Sequence, residues 1–388
     1  MSSCPLPDLT GIIRAGDGVI LGQACAEPQA LSEALVAQRA AFSGASLFLG
    51  VNYAGIVRPE HADHLKLSSY CGAGHNRALA DAGVLDIHPH PYSRLAPLIR
   101  ERRISCDVVL MQVSPPNRFG EYSMGLAVDY LLPAAQTARA VIAEVNERVP
   151  WTHAEKLFRR EDFALLIETS REPAVPPPAR SGATEAAIAR HAAGFIEDGA
   201  TLEFGLGVLP DAVCAALLDR KTLRVHTGTL GDGIVELMQR GTVGAADCAM
   251  LLGTRKLFDF AHQNSSIRLR STEYTHDARV LASLPKFTAI NSAVEVDLTG
   301  QVNAEVARGS YLGAVGGALD FIRAASASPG GISLLVLPAA RIVQALSGPV
   351  STPRSEAGVI ITERGAADLR GCTLRERMRR MEAIAILQ

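Results

Sequence analysis

The sequence predicts an α/β fold of two domains, and three observations carry that expectation. The chain has 388 residues, against the roughly 100–200 that a single domain occupies. Short, continuous, β-branched apolar runs alternate with helical spacings in both halves. Aromatic residues are scarce, at 5%, while 34 Gly and 21 Pro supply many turns, so the core must be largely aliphatic and Ala-rich. That balance suits alternating strands and helices better than an all-β sandwich.

The elements follow in chain order. Gly18–Leu21 is a short apolar run that reads as a strand. A small-residue turn leads into Pro28, Leu31, Leu35 and Val36, the apolar face of a helix. Strands are expected at 46–50, 106–113 and 140–145, each short and buried in character. The proline cluster in 171–184 can neither continue a helix nor join a central strand. It reads as a linker between an N-terminal domain, 1–170, and a C-terminal one, 185–388. In the second half, Ile188, Ala192 and Phe195 share one face of a helix over 184–198, which ends at Asp198-Gly199. A strand at 200–204 runs into Gly205-Leu206-Gly207, and Pro210-Asp211 opens a helix to 218. A strand at 223–226 completes a β-α-β unit, whose parallel strands leave ligand space at their carboxyl ends.

Composition excludes several classes. With 38 Lys+Arg against 40 Asp+Glu there is no general footprint for nucleic acid. The sequence shows no run of about 18 or more uncharged apolar residues, so no membrane span is expected. The N-terminus lacks a basic segment followed by an apolar one and is not a secretory signal. Seven cysteines, at 4, 25, 71, 106, 214, 248 and 372, show no CxxC spacing. They read as reduced thiols of a cytoplasmic protein. His61 with His64 and His88 with His90 have no ligating partners nearby, so no metal site is expected.

Four segments can carry chemistry. Gly205 to Asp211 can hold a phosphate against the N–H groups of the next helix, or be a tight turn with no ligand. The missing third glycine argues against a dinucleotide. Gly316 and Gly317, in GAVGG, can supply N–H donors to an oxyanion or permit close packing. Glu295 and Asp297 fall on one face of a strand, for acid–base work or for hydrogen bonds to loops. The loop 114–125, with Glu121, follows a buried strand, where functional loops concentrate, though it can equally be an ordinary connection.

Taken in order, VSPPNRFGEYSMG, IAEVNERVP, EDGATLEFGLGVLPDAV, GDGIVELMQRG, INSAVEVDLTGQVNAE, GGALDFIRAA, RIVQALSGPVSTPR and TERGAADLRGCTLRER resemble the acetyl-CoA hydrolase/CoA-transferase family, 4-hydroxybutyrate CoA-transferases included. The resemblance implies two CoA-transferase-type domains, each with a largely parallel sheet flanked by helices, in a homodimer with no permanently bound cofactor. The substrate would be a coenzyme A ester, with water or a carboxylic acid as acceptor. It places CoA on Gly205, Leu206, Gly207, Val208 and Leu209, and the substrate carbonyl near Gly316, Gly317 and Asn146. Family members attack the thioester with a glutamate, giving a mixed anhydride and then a glutamyl-CoA thioester. The position that matches this glutamate is Gly228, within Val225-His226-Thr227-Gly228. A glycine forms neither intermediate. The resemblance with this substitution leads to an acyl-CoA enzyme that hydrolyses or transfers directly, with Glu121 or Glu295 as candidate base. Two alternatives stay open: CoA transfer through a relocated glutamate, and a non-catalytic subunit that binds CoA esters.

Overall fold

Parallel strands need long crossovers, and the spacing of apolar runs along this chain provides them. The computed structural model describes residues 6–177 and 181–387. The expectations for Cys4, the first five residues of the N-terminal stretch, and positions 178–180 of the linker lie outside the described residues. The chain divides into two units. The first is Met1–His90, Arg94–Pro176 and Ala249–Thr272; the second is Pro91–Ser93, Pro177–Cys248 and Glu273–Gln388. The change at Pro176/Pro177 falls inside the proline-rich segment. Nothing in the pattern of apolar residues marks Ala249–Thr272 as part of the first unit. Backbone bonds hold it there: Leu251 N donates to Leu126 O (2.8 Å), Gln263 N to Trp151 O (2.8 Å) and Thr272 N to Asp129 O (3.1 Å). Ile267–Leu269 also pairs in parallel with His153–Ala154.

The first unit is built on a seven-stranded sheet in the order Leu85–Ile87, Lys66–Ser69, Ser46–Leu49, Gly18–Leu21, Val108–Val113, Ala140–Asn146, Leu165–Thr169. Every pairing in it is parallel. Strand order reverses between Gly18–Leu21 and Val108–Val113, the switch point where a parallel sheet opens a crevice at its carboxyl end. Leu21, Leu31, Leu35, Leu47, Leu67, Leu110 and Ile142 form its aliphatic core.

In the second unit the order is Gly365–Asp368, Val359–Thr362, Ile332–Val336, Phe287–Ser292, Thr201–Phe204, Leu223–Leu230, then the strand Val243–Leu251, which belongs to this unit as far as Cys248. The first of these is antiparallel to its neighbour. From Val359–Thr362 through to Leu223–Leu230 the pairings are parallel. Its switch point lies between Thr201–Phe204 and Phe287–Ser292, so Gly205-Leu206-Gly207 leaves the sheet there. Smaller sheets follow, Val302–Asn303 with Glu295–Asp297 and Ile342–Val343, and the pair Val306–Ala307 with Ser310–Tyr311.

Several expected boundaries shift, among them the helix opened by Pro210-Asp211, which is Val208–Ala215 and not a helix to 218, and two others bear on the site. The helix expected over 184–198 is Ala183–Ala193, because Gly194 ends it and the next N–H groups bond three residues back, Phe195 to Ala192 (3.0 Å) and Ile196 to Ala193 (3.2 Å). The strand expected at 223–226 continues to Leu230, which puts Gly228 inside the sheet.

Candidate active site

Gly228 is not required by its backbone, since its φ lies outside the left-handed region. Space decides the matter instead. A β-carbon at Gly228 would lie 3.2 Å from both Cε1 and Nε2 of His276, and 3.7 Å from Cε2 of Phe321. The imidazole thus occupies the volume that a side chain at 228 would enter. His276 is 3% exposed. Its ring packs against Phe321 (centroids 4.6 Å apart) and Tyr92 (5.0 Å). Nδ1 lies 2.9 Å from Thr275 Oγ1. Burial, with a smaller contribution from His226, pulls its pKa down to about 3, so the ring is neutral at physiological pH.

The GAVGG segment closes the same region. A β-carbon at Gly317 would come within 2.7 Å of His276 Nε2, so close packing requires glycine here. Gly317 precedes the ten-residue helix Ala318–Ala327. Gly316 has φ +57, and its carbonyl accepts from Tyr92 N (2.9 Å). Asp320, one turn into that helix, accepts from Ser93 Oγ (2.8 Å) and N (3.1 Å). Burial raises the Asp320 carboxyl to about 6. These bonds clip Pro91–Ser93 to the helix start and set Tyr92 on the imidazole.

The Gly205-Leu206-Gly207 turn sits over a buried acid. Glu203 accepts from Asn291 Nδ2 (2.7 Å) and Ile290 N (3.2 Å), and burial raises its pKa to about 8. Gly205 N donates to Ile290 O (2.8 Å), and a β-carbon there would press on Asn291 Oδ1 at 3.0 Å. Gly207 has φ +118 and caps the helix Val208–Ala215, so that helix starts three residues before Asp211. Pro210 is tolerated because it lies in the first turn. Leu206 is 39% exposed, and Val208 and Leu209 form the first turn.

Glu295 has a different job. Its carboxylate accepts from Asn303 Nδ2 (2.9 Å), Ser347 N (2.6 Å), Ser347 Oγ (2.9 Å) and Gly348 N (3.2 Å). Burial alone would raise its pKa, but these donors outweigh it and hold the carboxyl below its ordinary value. A carboxylate so occupied holds two loops together and has little basicity left for a water. Asp297, on the same face, accepts from Thr299 and Gln301 and shapes the turn after the strand. The loop-holding reading of this pair fits both residues.

In the first unit, Glu121 stands in the loop after Val108–Val113. Oε2 accepts from Asn117 Nδ2 (3.0 Å), and Oε1 pairs with Arg159 at 3.2 Å. Its side chain is 26% exposed. The same loop lines a cavity of about 280 Å³ with Arg148, Trp151, Arg255 and His262. Asn146 is buried and fully engaged. Nδ2 donates to Gln112 Oε1 (2.7 Å) and Arg171 O (2.8 Å), while Oδ1 accepts from Arg148 N and Arg171 N. It fixes the strand end and has no donor left for a ligand. Among the described residues, no three His, Cys, Asp or Glu side chains are grouped as a metal would need.

The structure therefore brings Gly228, Gly317 and His276 together in the second unit, with Gly205–Leu209 at its sheet's switch point. Sequence reasoning missed His276. The stretch Glu273-Tyr274-Thr275-His276-Asp277 has no motif spacing, and Asp277 reads only as the cap of the helix Ala278–Ser283.

Residues 6–158 match the acetyl-CoA hydrolase/transferase N-terminal domain, and residues 253–386 the corresponding C-terminal domain. The chain is 33% identical to the 4-hydroxybutyrate coenzyme A transferase of Clostridium kluyveri, over 95% of this chain and 90% of that one. Among solved structures, RipA from Yersinia pestis superposes with a TM-score of 0.92 at 29% identity, covering 97% of this chain and 92% of its own. The 4-hydroxybutyrate CoA-transferase from Porphyromonas gingivalis does so with 0.80 at 29%, with the same coverage. No helix among the described residues is long and apolar enough to cross a membrane. The chain belongs to the acetyl-CoA hydrolase/transferase family, a family of acyl-CoA enzymes.

Proposed function

We propose that this protein cleaves acyl-CoA thioesters without a glutamyl-CoA intermediate, passing the acyl group directly to water or another acceptor. The observation that carries the reading is the packing at position 228. A glycine stands where the family resemblance places the nucleophilic glutamate, and an imidazole lies 3.2 Å from where its β-carbon would be. In the hydrolytic form, water oxygen bonds to the thioester carbon and the C–S bond breaks. The proton lost by water ends on the departing CoA sulfur, giving a carboxylic acid and free CoA. The backbone N–H of Gly317 is a donor for the oxygen that gains charge. CoA is assigned to Gly205, Leu206, Gly207, Val208 and Leu209, where free N–H groups of a helix start favour phosphate.

A base for water is still required. The occupied carboxylate of Glu295 does not suit the task, and Glu121 is the remaining candidate of the two, partly exposed and with one cationic partner. Glu121 would also be the nucleophile if CoA transfer ran through a relocated glutamate. Saturating butyryl-CoA followed by borohydride reduction and mass spectrometry separates the routes. Free thiol from butyryl-CoA alone over many turnovers, with no glutamate side chain reduced to the alcohol, is the expected result. A Glu121 side chain reduced to the alcohol, with acetyl-CoA and no free thiol formed when acetate is supplied, would overturn it. Tight CoA binding with no thiol release would instead mark a binding subunit.

A further inference from the structure

The cavity of about 280 Å³ in the first unit takes no part in the chemistry proposed above. Its lining comes from the chain after Val108–Val113, the chain after Ala140–Asn146, and the helix Arg255–Ala261 with the two residues that follow it. The backbone fixes these walls. Trp151 N donates to His262 Nδ1 (3.1 Å), Gln263 N donates to Trp151 O (2.8 Å), and the indole Nε1 donates to Glu121 O (3.2 Å). Buried Val149 and Phe258 join the indole as the apolar part of the lining. The polar part divides into groups that are spent and groups that are not. Arg255 donates to Arg148 O (2.9 Å) and to Glu172 (2.5 Å), and Asp259 lies 3.7 Å from it. Arg148 reaches no carboxylate nearer than Glu172 at 3.8 Å, too long for a hydrogen bond. Glu147 is exposed, and its carboxylate has no partner among the described residues. A backbone N–H can only donate, so His262 Nδ1 accepts from Trp151 and carries no proton. The ring's donor is then Nε2–H, which has no protein acceptor among the described residues. Glu147 and Arg148 thus stand side by side with opposite charges, unpaired with one another, at the edge of an aromatic and aliphatic surface. Pockets for small molecules have this composition, a mostly apolar lining with a few polar groups that fix orientation.

We propose that this cavity binds a zwitterionic amino acid with an apolar side chain: its carboxylate on Arg148 and the His262 Nε2–H, its ammonium group on Glu147, and its side chain against Trp151, Val149 and Phe258. The charges of the lining select this class. Arg148 and Arg255 are matched by Glu147 and Asp259, so the cavity favours a ligand with no net charge. A simple carboxylate leaves Glu147 unanswered and repels it, and a simple amine does the same to Arg148. A ligand with both charges on neighbouring atoms answers both, through charge-assisted hydrogen bonds. The indole gives its apolar portion a broad, rigid surface. The proposal is independent of the acyl-CoA reading, because none of these residues belongs to Gly205–Leu209, Gly228, Gly317 or His276.

Trp151 is the single tryptophan of the chain, so its fluorescence reports on the cavity wall. Titration of the intact protein with L-leucine should give a saturable change in emission. Calorimetry should return the same Kd, about 0.1–1 mM for so small a ligand. Two matched probes each lack one charge: 4-methylpentanoate is leucine without its ammonium group, and 3-methylbutylamine is leucine without its carboxylate. Each should bind about tenfold more weakly than leucine, or weaker still. Arg148→Gln and Glu147→Gln alter exposed side chains and should leave the melting temperature unchanged. Each should weaken leucine about tenfold. Arg148→Gln should abolish the preference for leucine over the amine, and Glu147→Gln the preference for leucine over the carboxylate. No response to leucine by either method well above that Kd range overturns the proposal. So does equal binding of the three probes by the wild-type protein, or full affinity for leucine in either variant.

Discussion

A single glycine decides which chemistry the site can run. Position 228 lies in a strand with ordinary backbone angles, so what crowds a larger residue there is the His276 ring and not φ. Restoring the carboxylate should therefore fail on its own. Gly228→Glu should lose about 1–3 kcal/mol of stability through overpacking, read from denaturant midpoints, and should gain no CoA exchange with acetate. Gly228→Glu combined with His276→Ala, which vacates the ring, should recover most of that loss. Recovery of exchange in the single variant would show that the ring yields more readily than its packing implies. Glu295 gives a contrasting expectation. Glu295→Ala strands the donors of Asn303, Ser347 and Gly348 and should cost about 3 kcal/mol of stability. Its rate per folded molecule should stay near wild type. A selective loss of rate with stability intact would return Glu295 to the chemistry.

At the scale of elements, the turn Gly205-Leu206-Gly207 and the helix it starts are the proposed CoA site. Leu206 is exposed and touches little that the fold needs. Leu206→Asp should therefore raise KM for acyl-CoA about tenfold through lost apolar contact and charge repulsion of phosphate, with an unchanged melting temperature. An unchanged KM would remove this loop from the site. Much of this architecture was legible in the sequence. Gly18–Leu21 and the strands around 108–113 and 140–146 announce themselves as short apolar β-branched runs, because a parallel strand is buried on both faces. The GLG turn followed by Pro210 was legible for the same local reasons. What escaped depends on distant partners. Leu223–Leu230 runs on past its apolar core because Thr201–Phe204 and the strand beyond flank it, and Gly365–Asp368 adds to the sheet edge with two alanines and a glycine that carry little strand character. His276 was illegible because its meaning comes from Gly228 and Gly317, which lie far from it in sequence.

At the scale of the whole molecule, the balance of charge is near zero, and some ionisable groups are buried. Glu203 is the clearest case, with a folded pKa of about 8 against an ordinary 4.5. The folded state then holds a proton that the unfolded state has lost, between those two values. By linkage, stability falls as pH rises from about 4.5 to about 8, and the contribution amounts to several kcal/mol. Glu203→Gln keeps an acceptor for Asn291 and Ile290 without an ionisable group. Its stability should be flatter with pH than the wild type's across that window, measured by urea midpoints at pH 5 and pH 8.5. Parallel profiles would mean that Glu203 ionises freely in the folded chain.

The central claim is that the thioester is cleaved without a covalent CoA intermediate. It is tested most directly by following free thiol with butyryl-CoA as the sole substrate and no carboxylic acid present. The account predicts steady release over many turnovers, linear in enzyme. Absence of free thiol, with butyrate released only up to one equivalent per chain and acetyl-CoA formed once acetate is added, would contradict it, because that pattern requires CoA to wait on the protein for a second carboxylate.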